Sequence, residues 1–339
     1  MAVADEPVKR WPRHPTLEDV ARRAGVSRAL VSLVVRGAPH VSTERRTRVE
    51  SAVAELGYRP NALARSLAAR RTATIGVLVH DLHNPFFADI ADAVEQAAEG
   101  AGYRTLLATG RGRPDLEETA LETFFQHRVG GALLVGTELP VSRLLELARP
   151  APLVVVSRDV EGVDSVRTDD SVGMRLAVDH LVGLGHRRIG YIDSPSDPGA
   201  PSRRAGYELA MRGSGLLPLV GIGDFTEEGG ALGAEVLLRL PERPTAVIAP
   251  NDLAAAGALD HLEAAGLSVP ADLSLTGYDD TYIAGLRRLG LTSVGQPRRA
   301  MGAAAFDLLR GRMLGRPSRP VERVLAPSLV VRRTTGRAP

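Results

Sequence analysis

Residues 16–67 read TLEDVARRAGVSRALVSLVVRGAPHVSTERRTRVESAVAELGYRPNALARSL, and the rest of the chain is understood from this stretch. Thr16 stands where a helix N-cap belongs, with Asp19 three residues on as the capping-box acid. Leu17, Val20, Ala21 and Ala24 make an apolar stripe at helical spacing. Gly25 supplies the positive φ that closes the helix. Ser27 caps a second helix, Arg28 to about Val35. Two short helices joined by a glycine-containing turn form a helix-turn-helix. A third helix is capped by Ser42, with Arg45 where the box acid would stand. Its apolar face is Val49, Ala52, Val53 and Leu56, and Gly57 ends it. Tyr58 is placed to pack on this small core. Pro60 restarts the chain, and Asn61 caps a short fourth helix, Ala62–Leu67.

The charge is uneven along the chain. Residues 1–70 hold 13 Lys/Arg against seven Asp/Glu, whereas the remainder holds 29 against 33. A basic end on a slightly acidic body suits a polyanion-binding head on a sensor. With 339 residues there is room for two or three domains, and 44% apolar with 24% charged residues excludes a disordered chain. There is no cysteine, hence no disulfide or cysteine zinc site, which is compatible with a cytoplasmic location. Met1–His14 is charged and proline-rich without the apolar stretch of a secretory signal, and no apolar run reaches membrane-spanning length. Residues 1–15 are expected to form a disordered arm, with Lys9, Arg10 and Arg13 adding weak phosphate attraction.

From Thr74 the pattern changes. Short apolar runs such as Ile75–Val79, Gly131–Val135, Leu153–Ser157, Arg188–Ile192, Ala246–Ala249 and Ser274–Tyr278 alternate with amphipathic helical stretches such as Asp89–Ala101 and Glu227–Leu238. That alternation predicts doubly wound parallel α/β units, here two in tandem. Val166–Thr168 is expected as an edge strand and Arg323–Val331 as a final one. Residues 334–339 are a short polar tail, and no heptad repeat follows Val331.

The chain resembles the LacI/GalR family of transcriptional regulators. The resemblance is carried without gaps by Leu17, Asp19, Val20, Ala21, Ala24, Gly25, Val26, Ser27, Val31 and Ser32, then His40, Val41 and Ser42, then Gly57, Tyr58, Pro60, Asn61, Ala64, Arg65 and Leu67. It implies an all-α helix-turn-helix head over residues 16–60, a hinge helix and linker over 61–74, and a two-lobed α/β periplasmic-binding-protein-like body over 75–333. The lobes expected are 75–158 plus 290–320, and 163–288 plus 321–333, with three crossings between them. It also implies a DNA-contacting set of Leu17, Ser27, Arg28, Ala29, Ser32, Leu33, Arg36, His40, Ser42, Asn61, Ala64 and Leu67. Arg28 and Ala29 are the base readers in the major groove, and an arginine there pairs with guanine O6 and N7. Leu67 is the apolar wedge of the minor groove, which Ala64 lets the hinge approach closely. The sequence departs from the family at Leu30, commonly Thr, at Leu33, where many members carry a base-reading Arg, and at Arg36, commonly Asn.

Open α/β sheets bind ligands beyond the carboxyl ends of their strands. Phe86 and Phe87, in the D-L-H-N-P-F-F loop, are expected to precede a helix and stack on a flat ligand face. Arg203 matches a family arginine that binds effector oxygens. Asn251 and Asp279 match positions that bond sugar hydroxyls or a base, and Asp169 is a further candidate. Asp252 and Asp280 are read as helix caps. Polar groups at strand ends suit a sugar or nucleoside. Catalytic signatures such as G-x-S-x-G, H-E-x-x-H or a P-loop are absent from the sequence. The expectation is a non-enzymatic homodimeric repressor of a pseudopalindromic operator, controlled by a sugar-like effector, with no cofactor, metal or membrane partner. Control by a protein corepressor is the alternative, and a transporter's solute-binding protein is a weaker one.

Overall fold

Thr16 and Asp19 form the capping box reciprocally: Asp19 N donates to Thr16 Oγ1 at 3.3 Å and Thr16 N to Asp19 Oδ2 at 2.9 Å. That box opens α1 (Leu17–Ala24) in the computed structural model, which describes residues 15–59, 72–195, 199–316 and 319–339. Two compact units are formed, Met1–Thr72 and Ala73–Pro339.

In the first unit, Gly25 ends α1 at φ 65, and Ser27 Oγ accepts from Leu30 N to start α2 (Arg28–Val35). Helix α3 (Thr43–Leu56) begins after Ser42, whose side chain makes no capping bond, contrary to expectation. Val20, Val31 and Val49 are wholly buried, with Ala21, Ala24, Val34, Ala52 and Tyr58 around them. Arg48 Nη2 donates to the carbonyls of Ala24 and Gly25 at 2.6 and 3.3 Å, tying α3 to the turn. These bonds satisfy carbonyls that the end of α1 leaves open. The expected arm up to residue 14 and the expected hinge helix lie outside the described residues.

The second unit runs β1 (Thr74–Val79), α4 (Pro85–Gly100), β2 (Arg104–Thr109), α5 (Pro114–Gln126), β3 (Ala132–Val135), α6 (Val141–Leu147), β4 (Leu153–Val156) and β5 (Asp164–Thr168). It continues α7 (Asp170–Gly183), β6 (Ile189–Asp193), α8 (Ala200–Gly213), β7 (Leu219–Ile222), α9 (Glu227–Leu238), β8 (Ala246–Ile248), α10 (Asp252–Ala264) and β9 (Ser274–Asp279). It closes with β10 (Thr292–Gly295), α11 (Arg298–Met313), β11 (Glu322–Leu325) and β12 (Ser328–Val330). Two six-stranded sheets result, ordered β11-β5-β4-β3-β1-β2 and β12-β10-β9-β8-β6-β7. All pairings are parallel except β10 with β12. The near-continuous apolar strands follow from coverage of each sheet on both faces.

Pairing corrects the expected lobe bounds. β5 is no edge strand: it sits between β4 and β11 in the first sheet. β10 pairs with β9 and so belongs to the second sheet. The apolar run 323–331 is two strands, because Ala326-Pro327 interrupts it and β11 joins the first sheet while β12 joins the second. The chain therefore passes between lobes at Asp169, at Gln296-Pro297 and at Ala326-Pro327. Two of the passages are pinned together by Asp169 N donating to Leu325 O at 3.0 Å.

Residues 334–338 are a strap and not a loose tail. Thr334 Oγ1 donates to Leu275 O, Gly336 N to Ser274 Oγ, and Ala338 N to Leu184 O. The strap crosses the amino ends of the second sheet's strands. There the buried His186 faces Thr245 Oγ1, Ser274 Oγ and Gly336 O, and His180 Nε2 faces Thr335 Oγ1.

Candidate DNA-reading surface and buried polar cluster

The helix-turn-helix exposes what groove reading needs. Arg28 and Ala29 open α2 and are both exposed, because the stripe Val31 and Val34 turns the opposite face inward. Leu33 is 40% exposed on the same helix, an apolar tip where the resemblance implies a base reader. Arg36 folds back, Nε donating to Ser32 O at 3.0 Å. Ser27 spends its hydroxyl on the cap, Ser32 is half-buried, and His40 and Ser42 are exposed. Leu17 is half-buried against the head core, so packing accounts for it. Asn61, Ala64 and Leu67 lie outside the described residues.

In the body, the second sheet's carboxyl ends gather a buried charged cluster. Arg203, in the first turns of α8, is 5% exposed. Its Nη1 donates to Pro250 O at 2.6 Å and its Nε to Asp170 Oδ1 at 3.3 Å, while Nη2 lies 3.7 Å from Asp279 Oδ1. Its guanidinium lies 4.2 Å from the Tyr278 ring centroid and 5.3 Å from that of Phe225. Tyr278 OH donates to Asp170 Oδ1 at 2.8 Å, and Ser202 Oγ to Asp170 Oδ2 at 2.5 Å. Asp279 Oδ1 accepts from Gln296 Nε2 at 2.7 Å.

Burial alone would depress the Arg203 pKa, but the charges of Asp170 and Asp279 outweigh it and hold the guanidinium charged. Burial pushes the Asp279 carboxyl up to about 6, against the pull of Arg203, Gln296 and Arg298. Asp252, also buried, is pushed up to about 7 by burial and by the Asp279 charge. Asp252 is no cap: it accepts from Thr281 N and Oγ1 and from Ser293 Oγ, and so ties the loop after β9 and β10 to α10. Asp280 likewise caps no helix; its amide donates to Ser293 Oγ.

Other candidates turn out differently. Phe86 and Phe87 do not precede the helix but form its first turn, after Asn84 caps it and Pro85 fills its first position. They are 3% and 6% exposed in the core of the first lobe, edge to face at 5.2 Å. Asn251 caps α10 through Ala254 N at 2.7 Å and donates Nδ2 to Phe225 O at 2.9 Å. Asp169 caps α7 through Val172 N. The structure thus brings Arg203 and Asp279 together and gives Asn251 and Asp169 backbone work. The sequence reading missed Asp170, Tyr278, Gln296, Arg298 and the half-buried Phe225. The Asp169-Asp170 doublet and the Q-P-R step after a strand were the available signals. Among the described residues, no group of three or more His, Asp or Glu side chains is placed to hold a metal ion.

Residues 16–61 match the family described as bacterial regulatory proteins, lacI family, and residues 178–335 match the periplasmic binding protein-like domain. The chain is 37% identical over 324 residues to the HTH-type transcriptional regulator GalR of Escherichia coli K12, covering 94% of each chain. Among solved structures, the transcriptional regulator CelR–cellobiose complex is 35% identical with a TM-score of 0.70, covering 94% of this chain and 99% of that one. The lac repressor dimer bound to operator and the anti-inducer ONPF is 30% identical with a TM-score of 0.86, covering 96% of this chain and 100% of that one.

Proposed function

The chain belongs to the LacI family of bacterial transcriptional regulators, and from that premise we propose that it is a dimeric repressor whose hold on a pseudopalindromic operator is set by a sugar-like molecule in the cleft of its body. Its relatives regulate transcription and are not enzymes. One observation carries the reading of the head: Arg28 and Ala29 stand exposed at the start of a helix whose other face is core. A helix so placed reads base edges from its first residues. Two heads related by a two-fold axis read two half-sites, so operator symmetry follows protein symmetry.

The buried cluster around Arg203 supports a polar ligand. Arg203 and Asp279 offer a cation and a carboxylate at the carboxyl ends of the strands, with Phe225 and Tyr278 as flat neighbours. That mixture suits a polyhydroxylated ring. The lac repressor binds operator as a dimer with an anti-inducer, and the CelR regulator binds cellobiose; both are extended here to this chain. Residues 61–67 carry the minor-groove role by resemblance alone. The reading places the protein in the cytoplasm, at the nucleoid when on DNA. No helix among the described residues is long and apolar enough to cross a membrane.

Thermal unfolding against a panel of sugars, sugar phosphates and nucleobases tests the cleft, because a ligand of the native state raises the melting temperature by mass action. A sugar that stabilises the protein but not Arg203→Ala supports the reading. A full panel without one stabilising ligand overturns the sugar assignment and moves weight to the protein corepressor.

A further inference from the structure

One arginine at the middle passage between the lobes bonds to both. Arg298 is the first residue of α11, directly after Gln296-Pro297. Its Nε donates to Asp89 Oδ2 on α4, in the first lobe, at 2.8 Å. In the second lobe, its Nη1 donates to the carbonyl of Asp279 and its Nη2 to that of Asp280, the latter at 2.8 Å. The guanidinium is planar and presents its N–H groups in a fixed fork, so its three partners are held in one plane-directed arrangement. The Arg298 side chain is 16% exposed and that of Asp89 44%, so solvent screens their charges in part and the fixed geometry of the fork, more than the charge, ties the two.

The backbone it grips is unusual. Asp279 has φ 99 and Asp280 φ 50, two successive non-glycine residues in the left-handed region. Such conformations persist where the surroundings over-determine them. Here the holds are Ser293 Oγ on the Asp280 amide, the Arg332–Asp280 ion pair at 2.7 Å, and Arg298 on both carbonyls. The side chain of Asp279 meanwhile faces Arg203 and Gln296. One residue therefore holds Arg203 and Gln296 with its carboxylate and Arg298 with its carbonyl.

We propose that Arg298 is the positioning residue that couples the cleft to the first lobe: a ligand bonding to Asp279 shifts the Asp279–Asp280 backbone, and Arg298 transmits that shift to Asp89 and α4. This rests on the cleft being the effector site. Asp89 lies in the second turn of α4, just after Phe86 and Phe87, which are sunk in the core of the first lobe. A displacement of Asp89 thus moves a packed helix and not a loose loop, and packed elements shift between discrete arrangements.

Hydrogen–deuterium exchange on the full chain tests the Arg298 link without any ligand. Asp89→Asn preserves size and alters only the first lobe. The expected result is about fivefold faster exchange at the Asp280 and Thr281 amides of the second lobe, from loss of a local hold. Arg298→Met should give at least the same increase, Arg298→Lys should restore part of the protection, and Asp89→Asn should add nothing in the Arg298→Met background. Unchanged exchange at those amides in Asp89→Asn, with faster exchange in Arg298→Met, would mean that Arg298 serves the second lobe alone and would overturn the coupling. No change in either variant overturns it too. A positive exchange result beside a ligand panel without a single stabilising sugar retains the Arg298 link and overturns the effector reading, so the two failures are distinguishable.

Discussion

Arg203 lies across the ring of Tyr278, 4.2 Å from guanidinium carbon to ring centroid, and both residues bond to the same oxygen of Asp170. The stack fixes the plane of the guanidinium, and Asp170 fixes its rotation about that plane. Asp279 alone, at 3.7 Å, would do neither. Tyr278→Phe keeps the ring and removes one bond to Asp170, whose oxygens still accept from Arg203 and Ser202. The expected loss is about 1–2 kcal/mol. Asp170→Asn leaves Arg203 short of a buried countercharge and should cost about 3–5 kcal/mol. Urea midpoints of the three proteins check the order. Equal costs would show that the carboxylate charge is not what holds Arg203.

Helices α9 and α10 touch backbone to backbone. A Cβ on Gly257 would lie 1.8 Å from Glu227 O, and one on Gly230 1.9 Å from Ala254 O. Neither neighbour can yield, because each is a helix backbone. Gly257→Ala should therefore destabilise by about 3 kcal/mol. Gly100→Ala, where a Cβ would meet nothing within 4 Å, should be neutral or stabilising by up to about 1 kcal/mol. Chemical denaturation of both variants decides; a mild Gly257→Ala would mean that the helices can separate at little cost.

Arg28 is the test of groove reading. Selection of bound duplexes from a random pool should return a two-fold-symmetric sequence with wild-type protein. Arg28→Ala should relax discrimination at one base pair per half-site by about 1–3 kcal/mol, leaving the remaining positions as they were. Uniform weakening at every position would assign Arg28 to a phosphate instead.

The head was legible because its signals are local. Thr16, Asp19, Gly25, Ser27 and Gly57 each act within four residues of themselves, and each did what its chemistry requires. Among the described head residues, Ser42 is the expected cap that makes no side-chain bond. The alternation of the body was equally plain, but which sheet a strand joins is a long-range matter. β5 and β11 pair across more than 150 positions of sequence, and nothing in Asp164–Thr168 announces its partner. Site residues divided the same way. Arg203 and Asp279 were named through the family resemblance, and the structure brings them within 3.7 Å of one another. Asp170, Tyr278 and Gln296 matter through contacts with residues far off in sequence, which spacing does not reveal. The helix expected from Asp89 begins at Pro85, because Asn84 caps it and Pro85 fills its first position, and this puts Phe86 and Phe87 in its first turn.

Opposed titrations should shape the pH response of the second lobe. His186 is buried against the C-terminal strap and His180 partly so, and burial lowers the pKa of both. The unfolded chain then binds more protons below the ordinary histidine pKa of about 6.5, so their contribution is intact above that pH and lost as pH falls. Asp279 runs the other way. Its folded pKa, about 6, exceeds its unfolded value of 3.8, so its contribution is intact below 3.8 and lost as pH rises through about 6. Asp279→Asn removes that second trend while nearly matching the neutral carboxyl in shape. Relative to wild type, the variant should melt at a similar temperature near pH 4 and progressively higher as pH approaches about 7. Melting temperatures across this range are the check. A difference that stays constant with pH would show that Asp279 titrates alike in the folded and unfolded chain, and that its burial against Arg203 carries no electrostatic cost.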